Sequence, residues 1–138
     1  MRTLTIAVFM LVLAATNASA AIIARIDVSK QTMTVSEDGH VVYFWRVSTA
    51  RSGYYTPRGS YRPTRTARMW YSRKYDNAPM PHSVFFRGGY AIHGTNHVKS
   101  LGKPASHGCV RLAPGNAQAF YNLVRAHGSG NTRIIVQN

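Results

Sequence analysis

Residues 26–45 read Ile26-Asp27-Val28-Ser29-Lys30-Gln31-Thr32-Met33-Thr34-Val35-Ser36-Glu37-Asp38-Gly39-His40-Val41-Val42-Tyr43-Phe44-Trp45. Arg25-Ile26-Asp27-Val28 alternates polar and apolar, Ser29-Lys30 turns, and Met33 and Val35 share a face of the next strand. Glu37-Asp38-Gly39 is a hairpin turn whose glycine supplies the positive φ such turns require. Val41 to Trp45 is an unbroken run of branched and aromatic residues, the pattern of a central strand covered on both faces. The expected fold is therefore mostly β, a mostly antiparallel sandwich or barrel-like sheet.

Downstream the pattern changes. Residues 49–82 are less regular. Thr56-Pro57-Arg58-Gly59 reads as a turn, and Pro63, Pro79 and Pro81 are expected to break any longer element. Arg62, Arg65, Arg68, Arg73 and Lys74 alternate there with Tyr61, Trp70, Tyr71 and Tyr75. Such interleaving suits a single-stranded nucleic acid, a groove for an anionic peptide, or a solvated loop. Ser83-Val84-Phe85-Phe86 and Tyr90-Ala91-Ile92 form a hairpin around Gly88-Gly89, delivering His93 where the chain leaves the sheet. Asn96 to Ala105 is a polar loop. Ala117, Phe120, Tyr121 and Val124 fall at helical spacing, giving one amphipathic helix that Gly128 ends. Thr132 to Val136 is a last strand. No repeat or linker interrupts residues 21–138, so one domain is expected.

The first twenty residues have the layout of a secretory signal: Arg2, an apolar run from Ile6 to Ala15, and Ala18-Ser19-Ala20 at the cleavage position. The run falls short of the roughly 20 residues that span a bilayer, so no stable membrane anchor is expected. The formal charge is +13, of which Arg2 contributes one. This balance favours polyanionic partners. Export to a secreted or periplasmic location argues against nucleic acid and leaves cell-wall carboxylates, anionic lipids and lipopolysaccharide, or simple solubility.

Cys109 is the chain's one cysteine. An exported domain with a single thiol has no internal disulfide to make, and the glycine and basic residues around Cys109 argue against a purely apolar setting. It lies in Ser106-His107-Gly108-Cys109-Val110-Arg111-Leu112, with His93-Gly94-Thr95 upstream. A thiol attacks as thiolate, and a nearby imidazole is the usual means of generating one near neutral pH. His93 is the candidate base, with a backbone carbonyl such as that of Gly94 orienting its other ring nitrogen. The Gly108 and Cys109 N–H groups are candidates for an oxyanion hole, and His107 and Ser106 for auxiliary parts. A zinc site on His93, His97 and Cys109 is the rival. Gly94 and the preceding strand argue against the helix that spacing needs, and the glutamate of the zinc-peptidase pattern is absent. Neither metal nor cofactor is expected.

His93-Gly94-Thr95-Asn96, Leu101-Gly102-Lys103-Pro104 and Ser106 to Leu112, in this order, resemble the catalytic signature of L,D-transpeptidases. The opening hairpin, the Thr56–Tyr61 turn and the approach to the histidine are similar as well, so the resemblance covers essentially all of 21–138. It implies a mostly β catalytic domain acting on peptidoglycan, without cofactor. Cys109 would attack the carbonyl of the third residue of a tetrapeptide stem, D-alanine would leave, and a thioester would pass to an amine. That amine belongs to a neighbouring stem or to an outer-membrane protein or lipoprotein destined for the wall. The resemblance further implies His93 as general acid and base, and His107, Gly108, Gly94 and Ser106 as the supporting constellation. It implies Arg111, with Thr95 and Tyr90, in substrate contact, and acylation of Cys109 by carbapenems. A carboxypeptidase using the same residues, and a non-catalytic cationic wall-binding protein, are the alternatives. Between His93 and Ser106 lie 12 residues, at the short end for the family.

Overall fold

The computed structural model describes residues 20–138; the expected export segment, apart from Ala20, lies outside them. The first sheet is built on β1 (Ile22–Asp27), β2 (Thr32–Glu37) and β3 (His40–Arg46), a meander whose register follows the alternation: Ala24 faces Val35 and Ile26 faces Met33. Those four side chains are fully buried, while intervening residues such as Arg25 are exposed. The last strand, β9 (Thr132–Gln137), returns to lie parallel to β1, and β4 (Gly59–Tyr61) closes the far edge, giving the order β3-β2-β1-β9-β4.

The second sheet runs β5 (Arg65–Ser72), β6 (Ala78–Arg87), β7 (Tyr90–Gly94) and β8 (Val110–Leu112). Helix α1 (Pro114–His127) starts with proline at its first turn and stops at Gly128, whose φ of 87° a side chain would disfavour. It buries Ala117, Phe120 and Val124 against β6 and β7. These residues join Ile22, Ile26, Val84, Phe86, Ile92, Leu112 and Ile134 in the main core. No helix among the described residues is long and apolar enough to cross a membrane.

The mostly β fold with one helix near the C-terminus is as expected, with two corrections. Val41–Trp45 is not a covered central strand. β3 is the sheet's edge, and Val41 and Phe44 are 64% and 66% exposed. The centre is occupied by β1 and β9, whose parallel pairing joins the two ends of the domain. Residues 49–82 are also more regular than expected, since they hold β4, β5 and the start of β6. Pro79 and Pro81 sit inside β6 opposite Tyr71 and Met69. Over that stretch β6 has β5 on one side and no strand on the other, so a missing N–H on the open side breaks no ladder. The strand pairings are mostly antiparallel, as expected, the exceptions being β1 with β9 and β7 with β8.

Candidate active site

The β7–β8 pair places the two candidate catalytic side chains. Its register sets Ile92 opposite Val110 and His93 opposite Arg111. Strand residues alternate faces, so Ile92 and Val110 turn into the main core, where both are buried. Ala91, His93 and Arg111 take the opposite face, and Cys109, one residue before β8, continues it beside Ala91. Cys109 packs against the small cluster of Met80, Phe85 and Ala91 on that side. His93 and Cys109 are thus diagonal neighbours on one sheet surface, within reach across adjacent strands.

His93 Nδ1 lies 2.7 Å from the Gly94 carbonyl oxygen. A carbonyl only accepts, so Nδ1 carries the hydrogen and Nε2 keeps its lone pair for a proton. The expected orienting carbonyl is therefore that of Gly94, and Asp27, Glu37, Asp38 and Asp76 do not line the cavity. Burial lowers the imidazole to a pKa of about 4; the Gly94 bond opposes that shift, and the charge of Arg111 adds to it. Cys109 moves the other way. Dense surroundings raise its thiol, partly offset by the Ala91 N–H and by Arg111, although the side chain keeps some surface open to the cavity. Its Sγ lies 3.7 Å from the Gly89 carbonyl oxygen. At neutral pH the pair rests as neutral thiol and neutral imidazole.

The loop before Cys109 is held by its own atoms. Ser106 Oγ accepts the Gly108 N–H at 3.0 Å and donates to the Cys109 carbonyl at 2.6 Å. This corrects the expected oxyanion hole. The Gly108 N–H and the Ser106 hydroxyl are already engaged, whereas the N–H groups of His107 and Cys109 meet no acceptor among the described residues. Gly108 is required sterically. Its φ is +138°, and a Cβ there would sit 2.5 Å from the Tyr90 ring and 2.9 Å from the Tyr55 carbonyl oxygen. Tyr90 therefore packs on the loop as well as lining the cavity.

Three buried polar residues that the sequence reading missed fix this loop to the first sheet. The Thr49 carbonyl accepts the N–H groups of Ala105 and Ser106. Gln31 clamps Thr49 through both ends of its amide, at 2.6 and 2.9 Å. Thr56 donates to the Gly108 carbonyl at 2.8 Å while accepting the Ala50 N–H. Thr95, buried like them, holds the segment after His93 by accepting the His97 N–H and donating its own to Leu112.

Above this floor lies a cavity of about 800 Å³, a size suited to a small ligand or peptide. Its floor includes His93, Cys109 and Arg111, with Thr95 and Tyr90 at the side, and its outer wall comes from β5 and the turn after it. Of the basic and aromatic series, Arg65, Trp70, Arg73, Lys74 and Tyr75 line the cavity, whereas Tyr61 packs on Phe86 in the core. His107 is stacked on Tyr75 at 4.0 Å between centroids and tilted against Tyr54 at 4.8 Å. It thereby joins the β5–β6 turn to the cysteine loop over the cavity. Partial burial lowers its pKa, reinforced by Arg51, Arg111 and Lys74. His97 shares the cavity with His93 and Cys109, but no three His, Cys, Asp or Glu side chains among the described residues converge where a metal ion would fit.

The YkuD family model, which describes the L,D-transpeptidase catalytic domain, matches residues 21–136. The fold superposes on an L,D-transpeptidase from Mycobacterium smegmatis with a TM-score of 0.77 at 27% identity, covering 86% of this chain and 59% of that one. For the LD transpeptidase LdtMt1 in complex with imipenem the TM-score is 0.75 at 26% identity, over 85% of this chain and 59% of that one. For L,D-transpeptidase 3 from Mycobacterium tuberculosis in complex with a faropenem-derived adduct it is 0.73 at 26%, over 86% and 61%. The chain spans about three-fifths of the length of these structures. No curated protein sequence matches it. The match over residues 21–136, coincident with the folded domain and its cysteine cavity, shows that the chain belongs to the L,D-transpeptidase catalytic domain family.

Proposed function

We propose that the protein is an exported cysteine L,D-transpeptidase acting on peptidoglycan tetrapeptide stems. The observation that carries this reading is the placement of Cys109 and the free Nε2 of His93 on one sheet face, under one cavity, in a member of this family. His93 Nε2 takes the thiol proton as Sγ attacks the carbonyl of the third stem residue. The N–H groups of His107 and Cys109 are the donors available to the tetrahedral oxyanion. Collapse breaks the bond to D-alanine, whose nitrogen takes the proton back from His93, and the acyl group stays on Cys109 as a thioester. An amine of a second stem, or of a protein attached to the wall, then attacks the thioester. Residues 1–20 direct export and are removed, and the positive charge of the remaining domain holds it at the anionic envelope.

One relative binds imipenem, which gives a direct test. Incubation with imipenem followed by intact-mass analysis is expected to add one drug molecule to the wild type and none to Cys109→Ala. No adduct, or an equal adduct on both, overturns the nucleophile assignment. Tetrapeptide stems supplied with an amine acceptor then distinguish cross-linked product from hydrolysed tripeptide. N-terminal sequencing of the exported protein is expected to begin at Ala21.

A further inference from the structure

The β5 wall of the cavity holds cations that the proposed chemistry does not use. The Arg65 guanidinium lies 3.6 Å from the centroid of the Phe85 ring and 4.5 Å from that of Trp70. Trp70 stands edge-on to Phe85, and Arg73 lies 5.7 Å from the Trp70 ring on the next turn of chain. Trp70 and Phe85 belong to the cluster that Cys109 packs against, so this wall adjoins the thiol. Among the described residues neither guanidinium meets a carboxylate and the Arg65 side chain has no hydrogen-bond acceptor. A guanidinium held over the Phe85 ring and beside Trp70 is restrained in position while N–H groups that meet no acceptor stay available. Its fork of donors matches the two oxygens of a carboxylate.

We propose that Arg65, steadied by Phe85 and Trp70 and assisted by Arg73, forms a carboxylate subsite that selects stems by charge. It favours donor stems whose third residue ends in a free carboxylate over those ending in a carboxamide or a bare ammonium. The inference rests on the proposed transpeptidase reading and adds the specificity of that site. A carboxamide leaves Arg65 facing an amide in place of a charge partner. A lysine-type ammonium adds a fifth cation beside Arg65, Arg73, Lys74 and Arg111, all of which line the cavity. Arg111 is placed differently: it reaches toward the Ala105 carbonyl at 3.3 Å beside the cysteine loop.

The test uses the full exported domain and two synthetic tetrapeptides, identical except that the third residue ends in a carboxylate or a carboxamide. D-alanine release is followed for each. The wild type is expected to favour the carboxylate peptide by at least about tenfold in kcat/KM, as a charge-assisted hydrogen bond implies. Arg65→Gln is expected to bring the ratio within about twofold by lowering turnover of the carboxylate peptide alone. Arg65→Met keeps apolar cover over Phe85 and is expected to behave alike, so poor folding of the glutamine variant leaves the result decidable. Equal turnover of both peptides by the wild type, or an equal fall for both in the folded variants, overturns the subsite and leaves the transpeptidase reading standing. Release from neither peptide, with no imipenem adduct on Cys109, overturns both.

Discussion

The neutral resting state of His93 has a consequence for stability that can be measured without any substrate. The imidazole titrates near 4 in the folded protein because it is buried, against 6.5 in the unfolded chain. Below pH 6.5 the unfolded state takes up a proton that the native state refuses until about pH 4. Stability from this group is therefore complete above 6.5, falls as pH drops, and levels off below 4. The full loss is about 3 kcal/mol, and about 2 kcal/mol of it falls between pH 7 and pH 5. The perturbation is that pH step, applied to the wild type and to His93→Gln, whose amide does not titrate. Urea unfolding at both pH values is expected to move the wild-type midpoint about 1 M further than the variant's, given a slope of about 1–3 kcal/mol/M. Groups common to both proteins cancel in the difference. Equal shifts in wild type and variant would refute a buried, neutral His93 oriented by the Gly94 carbonyl, and with it the assignment of Nε2 as the waiting base.

Gly108→Ala is expected to lose more than about 2 kcal/mol in urea unfolding, from backbone strain and collision with Tyr90, and to slow imipenem acylation of Cys109 by at least about tenfold. Ser106→Ala strands the Gly108 N–H and the Cys109 carbonyl and should cost about 1–3 kcal/mol by the same assay, even though no proton-transfer step uses Ser106. Ile134→Ala, in the central pair of strands, should cost about 2–5 kcal/mol, whereas Phe44→Thr on the exposed edge should stay within about 0.5 kcal/mol. Cys109 should react with iodoacetamide more slowly than a free cysteine at pH 7.5, because burial raises its thiol; a rate at or above that of the free amino acid contradicts this.

The parts of the fold that could be read from the chain are those whose partners lie close in sequence. Met33 and Val35 declare a buried face because β1 and β2 are joined by a short turn, and the helix declares itself through Phe120 and Val124. Placement of β3 could not be read the same way. A run such as Val41–Trp45 fits a covered strand and an exposed edge alike, and the order is set by β1 pairing with β9 across most of the chain. At the site, Cys109 and His93 were visible because glycine and histidine mark their stretches. Gln31, Thr49 and Thr56 were not. Thr49 is 18 residues from Gln31, Thr56 is 52 from Gly108, and nothing local distinguishes a buried threonine from a strand threonine. One miss had a local signal. A serine two residues before a glycine readily takes that amide on its own hydroxyl, and Ser106 takes Gly108 in this way.

The same burial that keeps His93 neutral would make a lone thiol compatible with the oxidising compartment to which the proposed export delivers it. Oxidation and disulfide exchange proceed through the thiolate, and the surroundings of Cys109 disfavour that form at rest. A carboxylate beside His93 would favour an imidazolium and, through it, a standing thiolate. The Gly94 carbonyl orients the ring without supplying a full charge, so the proton stays on sulfur at rest and, in the proposed reaction, leaves it only as an acyl carbonyl takes up the negative charge. Arg111 then favours the thiolate as it forms and disfavours a protonated His93 in the free site. Orientation by a backbone oxygen, rather than by one of the domain's four acidic side chains, is on this argument what lets the site hold the proposed nucleophile as a protonated thiol at rest.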